Sequence, residues 1–127
     1  MSRVAAVDIG AGSGRVVLCD LVDGIPSLTE VSRFPNGPIH VDGRWTWDVT
    51  TLHRSVVDGL AVAVALGALS CGIDTWAIDY GIVDQVGRLI GPVIAYRDDR
   101  HVLGVDRVRA VLPWGRHYDV TGIQHLP

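Results

Sequence analysis

Val4-Ala5-Ala6-Val7-Asp8-Ile9-Gly10-Ala11-Gly12-Ser13-Gly14-Arg15-Val16-Val17 decides the fold of this 127-residue chain. Val4–Ile9 is a short run rich in Val and Ala, closed by Gly10, which predicts a buried strand. Gly10–Gly14 predicts a turn, and the apolar run from Val16 to Val22 a second strand. Glycines allow a tight turn whose amides all point one way, and such amides form a nest for an anion. Arg15 adds a guanidinium that can grip phosphate oxygens in a fork. Asp8, at the strand end, can hold a magnesium ion through water. Two better-known phosphate loops are excluded. The dinucleotide fingerprint needs a helix after its glycines, and Arg15 to Asp20 reads as strand. The P-loop needs Gly-Lys-Ser/Thr, and the chain has no lysine. An ordinary glycine hairpin with a solvated acid and a solvated arginine fits the same residues.

Outward from that turn, Asp23-Gly24 is a hairpin signal leading to a third strand over Leu28–Phe34. Pro35–Pro38 is a loop, and Asp42-Gly43 joins Ile39–Val41 to Arg44–Trp47. The period then changes. Val49, Leu52, Val56, Leu60 and Val64 share one helical face, with His53, Arg54 and Asp58 off it. Asp48 is placed to cap the first turn and Gly67 to stop the last. Ala68–Asp74 returns to strand. Ile78–Asp84 and Arg88–Ile94 predict a hairpin around Val86-Gly87. Asp99–Leu112 predicts a helix ended by Pro113, and Tyr118–Ile123 a further strand. The fold class is α/β, with a sheet that starts antiparallel.

Composition bounds the function. The chain is 48% hydrophobic and 20% charged, which is globular, and its length allows one domain with one core. Its net charge is −3 and its eleven cations, all arginines, form no cluster, so no nucleic-acid partner is expected. No signal peptide is expected. The longest apolar run, Leu60–Ile73, is too short and too glycine-broken to span a bilayer, so no membrane and a cytoplasmic location are expected. Cys19 and Cys71 each lie in an apolar run and are expected as buried, reduced thiols. The five histidines show no metal spacing.

Two more clusters carry polar chemistry. Gly72-Ile73-Asp74-Thr75-Trp76-Ala77-Ile78-Asp79-Tyr80 puts two carboxylates and two rings at the mouth of a strand. Sugars are recognised by carboxylates at their hydroxyls and a ring face on their C–H surface. Core packing for Trp76 and solvated acids fit equally. Tyr96-Arg97-Asp98-Asp99-Arg100 reads as a surface salt-bridge network. Trp45 and Trp47 alternate on a hairpin and suit core or partner contact better than ligand contact.

Taken in order, these strings resemble the FGGY carbohydrate kinases, and among them the rhamnulose kinases. The similar strings are Asp8–Arg15, Arg33-Phe34-Pro35-Asn36-Gly37, Trp47-Asp48-Val49, Gly72–Trp76, Tyr96-Arg97-Asp98 and Gly122-Ile123-Gln124, and they span essentially the whole chain. The resemblance implies phosphoryl transfer from ATP to a ketose hydroxyl with Mg2+, in a cleft between two ribonuclease-H-like, actin-like domains. It implies that residues 1–127 are an incomplete N-terminal part of such an enzyme. By resemblance, Asp8 lies at the magnesium–phosphate end. Ala11, Gly12, Ser13, Gly14 and Arg15 form the loop facing ATP. Asp74, Trp76, Ala77, Asp79 and Arg97 belong to the sugar pocket for L-rhamnulose or a related ketose. Gly12 stands where the family commonly has Ser, and Ala77 where it commonly has Gly. The family's general-base aspartate is expected beyond residue 127, so the chain is expected to be inactive alone. A separate C-terminal part as partner, self-association through open strand edges, or a non-catalytic sugar- or phosphate-binding module are the further expectations.

Overall fold

The computed structural model describes residues 3–124, which form two compact units. The first runs through Ala95 and the second from Tyr96.

The first unit is built on a four-stranded sheet in the order β3-β2-β1-β6. Its strands are β1 (Arg3–Ile9), β2 (Ser13–Val22), β3 (Ile25–Pro35) and β6 (Ser70–Thr75). The first three are antiparallel and β6 lies parallel to β1. Asp23-Gly24 turns β2 into β3 with φ of 52° and 81°. Both residues are left-handed, as the type I′ turn matching strand twist requires. A short hairpin, β4 (Pro38–Val41) and β5 (Arg44–Trp47), repeats that turn at Asp42-Gly43 and pairs with β7 (Val93–Ile94) in a second sheet.

Alternation along β1 and β2 selects the core. Ala5, Val7, Ile9, Val16 and Leu18 face inward with Phe34, under helix α1 (Val49–Ala65). Asp48 caps α1 by accepting from the Thr51 N–H at 3.0 Å, and that bond holds its carboxyl below the usual range. The buried stripe of α1 runs through Leu52, Val56, Gly59, Leu60 and Ala63. Val64, expected on that face, is 65% exposed, because Ala63 and Gly59 let the helix lie close to β2 and β3. Arg3 grips Asp20 through two hydrogen bonds of 2.8 Å and donates a third to the Leu66 carbonyl at the end of α1. A cation there satisfies an orphan carbonyl of the last turn.

The register of β2 and β3 slips between Val16 and Val17, so that Val31 is extra. On a regular strand, residues three apart face opposite sides. The bulge lets Glu30 and Arg33 meet on one side, Arg33 Nε lying 3.0 Å from a Glu30 oxygen. The Arg33 guanidinium holds Glu30 below the usual carboxylate range.

Three expectations are corrected. Residues 78–94 form a tight turn with one bridge, Val83 to Leu89, rather than two strands. Asp84 binds the N–H groups of Val86 and Arg88 and narrows the turn, and only Val93–Ile94 extends into a sheet. Tyr118–Ile123 is not a strand. Helix α3 covers Trp114–Thr121, following helix α2 (Arg100–Val111), with Pro113 at its start and Gly122 as a left-handed cap at φ 67°. That Pro-first, Gly-last framing outweighs the strand preference of Tyr118 and Val120. Cys71 is exposed and Cys19 half-buried, both as free thiols, because α1 does not cover β6.

No helix among the described residues is long and apolar enough to cross a membrane.

Candidate functional site

β1 and β6 are parallel and in register, with Asp8 opposite Asp74 and Ile9 opposite Thr75. Their C-terminal ends therefore open on the same sheet edge. The Trp76 N–H donates to the Ile9 carbonyl at 3.0 Å, tying the two exits together. The glycine turn and the Thr75–Asp79 segment thus leave the sheet side by side. In open α/β sheets, ligands bind in the crevice outside the carboxyl ends of the strands.

The turn is shorter than its glycines suggest. Only Gly10, Ala11 and Gly12 lie between strands, while Ser13, Gly14 and Arg15 belong to β2. The Gly10 N–H is used internally, donating to the Ser13 carbonyl at 2.9 Å. Among the described residues, the N–H groups of Ala11 and Gly12 have no partner. Gly14 is not part of the loop surface. It is buried, and a Cβ built on it would lie 2.2 Å from the Phe34 ring. It is glycine because an aromatic side chain occupies the space over its Cα.

Asp8 and Arg15 are cross-strand partners, and Arg15 Nε donates to Asp8 Oδ2 at 2.9 Å, with Nη2 on the same oxygen. Arg15, expected to point toward an anion, is therefore held beside β1, its Nη1 unpartnered among the described residues. Arg33 on β3 is the register partner of Arg15. One row thus crosses the sheet as Arg33, Arg15, Asp8, Asp74, on the face opposite α1. Sequence reading missed this row, because its members lie as much as sixty-six residues apart and only the strand register aligns them.

In the second segment one carboxylate oxygen of Asp79 is already engaged. Its Oδ2 receives the Trp47 Nε1–H at 2.7 Å and the Trp76 Nε1–H at 2.8 Å. The two indoles meet at 4.4 Å between centroids, tilted by 43°. Trp76 packs on the core while Ala77 and Asp74 are exposed. Trp47, read as core or partner contact, is core at 5% exposure and also joins this cluster. Trp45 is 42% exposed, against the His40 ring. Ile78, between Ala77 and Asp79, has φ 89°, a conformation a β-branched residue adopts only under constraint.

Arg97 belongs to the second unit. Its Nε donates to the Tyr96 hydroxyl at 3.0 Å. Asp98 accepts from the Arg100 N–H at 3.0 Å, at the entry to α2.

A magnesium ion usually keeps several waters and takes one or two carboxylates plus substrate phosphates. Asp8 fits that demand, since both arginine bonds fall on Oδ2 and leave Oδ1 to a water or ion. Among the described residues no group of three or more His, Cys, Asp or Glu could hold a metal alone.

Gly12 has no heavy atom within 4 Å of a built Cβ. Gly12→Ser is therefore expected to fold as the parent does, with a melting temperature within about 2 °C, consistent with an unstrained surface change. A thermal scan checks this. A drop of about 5 °C or more would show that the turn needs glycine for its backbone.

No family model matches the chain. Its sequence is 38% identical over 124 residues to a rhamnulokinase of Bacillus subtilis and 41% identical over 128 residues to one of Mannheimia succiniciproducens. These matches cover 96% and 98% of this chain but 26% and 27% of the relatives, so the chain spans about a quarter of their length. Among solved structures, a gluconate kinase from Lactobacillus acidophilus superposes with a TM-score of 0.77 at 14% identity. A xylulose kinase from the same organism superposes with a TM-score of 0.76. Each superposition covers 96% of this chain and 25% of the other. The fold is that part of the actin-like ATPase fold that these sugar kinases share, and along nearly all of its length the chain is similar in sequence to rhamnulokinases.

Proposed function

We propose that residues 1–127 are the phosphate-loop and sugar-edge part of the N-terminal domain of a rhamnulokinase-like enzyme, which transfers the terminal phosphoryl group of ATP to L-rhamnulose or a related ketose. The observation that carries this reading is the shared sheet edge, where the unpartnered amides of Ala11 and Gly12 stand beside the Thr75–Asp79 segment. On this reading the Ala11 and Gly12 amides bind the polyphosphate, and the unpaired Nη1 of Arg15 adds a cation. Asp8 Oδ1 orients a water of the Mg2+, which supplies charge neutralisation at the phosphates when bound. Ser13 shapes the loop through its carbonyl, and Gly14 admits Phe34 beneath it. Asp74, Ala77 and the backbone around Ile78 face the sugar, while Trp76 and Asp79 hold that segment in place. Arg97 is kept as a candidate sugar contact by resemblance alone.

Phosphoryl transfer depends on positioning and on charge stabilisation in a closed, dry cleft. The exposed loop and segment do not provide one by themselves. The relatives' remaining three-quarters would supply the base and the other wall. A second reading, pairing with a separate polypeptide that provides them, is favoured by β6. A parallel strand is normally covered on both faces, yet every residue of β6 is exposed. Beside it Ala5, Leu60, Val64, Ala68, Leu69 and Cys71 line an apolar groove of about 170 Å3.

The purified chain is expected to form no ADP above background with Mg-ATP and L-rhamnulose. Adding a polypeptide that carries the remaining three-quarters of a rhamnulokinase is expected to restore turnover. Robust turnover by the chain alone would refute the proposal of dependence. Failure to complement, together with no calorimetric heat for Mg-ATP or L-rhamnulose, would remove both the enzyme and the binding-module readings. Sedimentation decides whether β6 instead drives self-association.

A further inference from the structure

Asn36 stands between β3 and β4, in a Pro-Asn-Gly-Pro string that reads only as a loop. Its side chain reaches back across the sheet edge to the glycine turn. Asn36 Nδ2 donates to the Gly10 carbonyl at 2.8 Å in a partly buried position. Its backbone N–H donates to the Gly12 carbonyl at 3.2 Å. The carbonyls on either side of Ala11 are therefore both held by one residue, twenty-six positions away from the first of them.

That has a directional consequence. A peptide unit is planar and trans, so its C=O and the next residue's N–H point opposite ways. Fixing the Gly10 carbonyl toward Asn36 turns the Ala11 N–H away from it. The Gly10 N–H is occupied by the Ser13 carbonyl and cannot compete for that orientation. We propose that Asn36 is a positioning residue of the phosphate loop: by holding the Gly10 carbonyl through its side chain, and the far end of the turn at the Gly12 carbonyl through its backbone N–H, it aims the Ala11 amide at an anion. The proposal rests on the phosphate-loop reading of Gly10–Gly12 and adds the residue that orients it. Without the amide of Asn36, no other group among the described residues holds the Gly10 carbonyl, and the Gly10–Ala11 peptide loses that tether. Asn36 needs no contact with the anion to do this.

The test is a two-dimensional amide NMR titration of the full chain with inorganic pyrophosphate, with and without Mg2+, for the parent, Asn36→Ala and Asn36→Asp. In the parent, the Ala11 and Gly12 resonances are expected to move on titration. One neutral hydrogen bond is worth about 1 kcal/mol net, so Asn36→Ala is expected to weaken binding by about fivefold. Its melting temperature should stay within a few degrees of the parent's. Asn36→Asp keeps the size and loses the donor, and serves if Asn36→Ala does not fold. A variant that binds like the parent, or that loses stability without losing affinity, overturns the proposal. If the parent itself binds nothing, the phosphate-loop reading falls. The positioning claim is then judged on the unliganded spectra. Ala11 and Gly10 amides unchanged in shift and exchange by Asn36→Ala would overturn it, and selective change at those amides would support it.

Discussion

Gly14→Ala is expected to cost about 3 kcal/mol, at the upper end of what overpacking a core does. The built Cβ lies 2.2 Å from Phe34 Cε2 and 2.3 Å from Cζ, closer than real carbon atoms approach. The backbone cannot move easily, because Gly14 pairs with Ile9 on one side and Phe34 on the other. The ring must therefore leave a site where it is 7% exposed, next to Val7, Ile9 and Val16. Displacing a buried Phe forfeits about 3–5 kcal/mol if nothing refills the space. A domain this size is stable by only about 5–15 kcal/mol, so the melting temperature should fall by roughly 10–20 °C. The check is a double-mutant cycle. Placed on Phe34→Ala, the same substitution should cost almost nothing, since its clash partner is gone. Equal costs in both backgrounds would mean that Gly14 is glycine for its backbone and not for the ring.

The contrast between Gly14 and Gly12 shows what was legible in the chain and what was not. Both sit in one glycine-rich string and both read as phosphate-loop residues. Only strand register separates them, since it places Ser13 at the head of β2 and turns Gly14 toward Phe34, twenty positions on. Local signals were readable wherever the chemistry is local. Alternation marked β1 and β2, Asp-Gly marked both type I′ turns, and Asp48 marked the start of α1. Signals failed where a distant partner decides. Asp79 reads as a free acceptor, but Trp47, thirty-two positions earlier, takes one of its oxygens. Asn36 looked like loop filler until β3 carried it back to Gly10. Cys71 looked buried because it lies in an apolar run, but burial needs a covering layer, and α1 lies over β1, β2 and β3 instead. The helix α3 was missed for a different reason. Its end signals, Pro113 and Gly122, enclose the β-preferring Tyr118 and Val120, which read locally as strand.

Asp79→Ala is expected to lower stability by about 2 kcal/mol and to unlock the segment that includes Ala77 and Ile78. Asp79 Oδ2 accepts both indole N–H groups, and bonds to a charged acceptor are worth about 1.5–3 kcal/mol each. Removing the acceptor affects the two donors differently. Trp47 is 5% exposed, so its N–H is left buried without a partner, whereas the half-buried Trp76 can turn to water. A relaxing Ile78 offsets part of the loss, because its left-handed backbone stores about 1–3 kcal/mol of strain. The net cost stays positive as long as the Trp47 bond outweighs that relief. The coupled rings, 4.4 Å apart, should give a near-ultraviolet circular dichroism band that Asp79→Ala abolishes. Asp79→Asn keeps an accepting oxygen and should retain most of both stability and band. If alanine leaves the band and the melting temperature unchanged, the two indoles are held by packing alone. Both oxygens of Asp79 would then be open to a sugar hydroxyl, and its place in the site would have to be redrawn from a clamp to a contact.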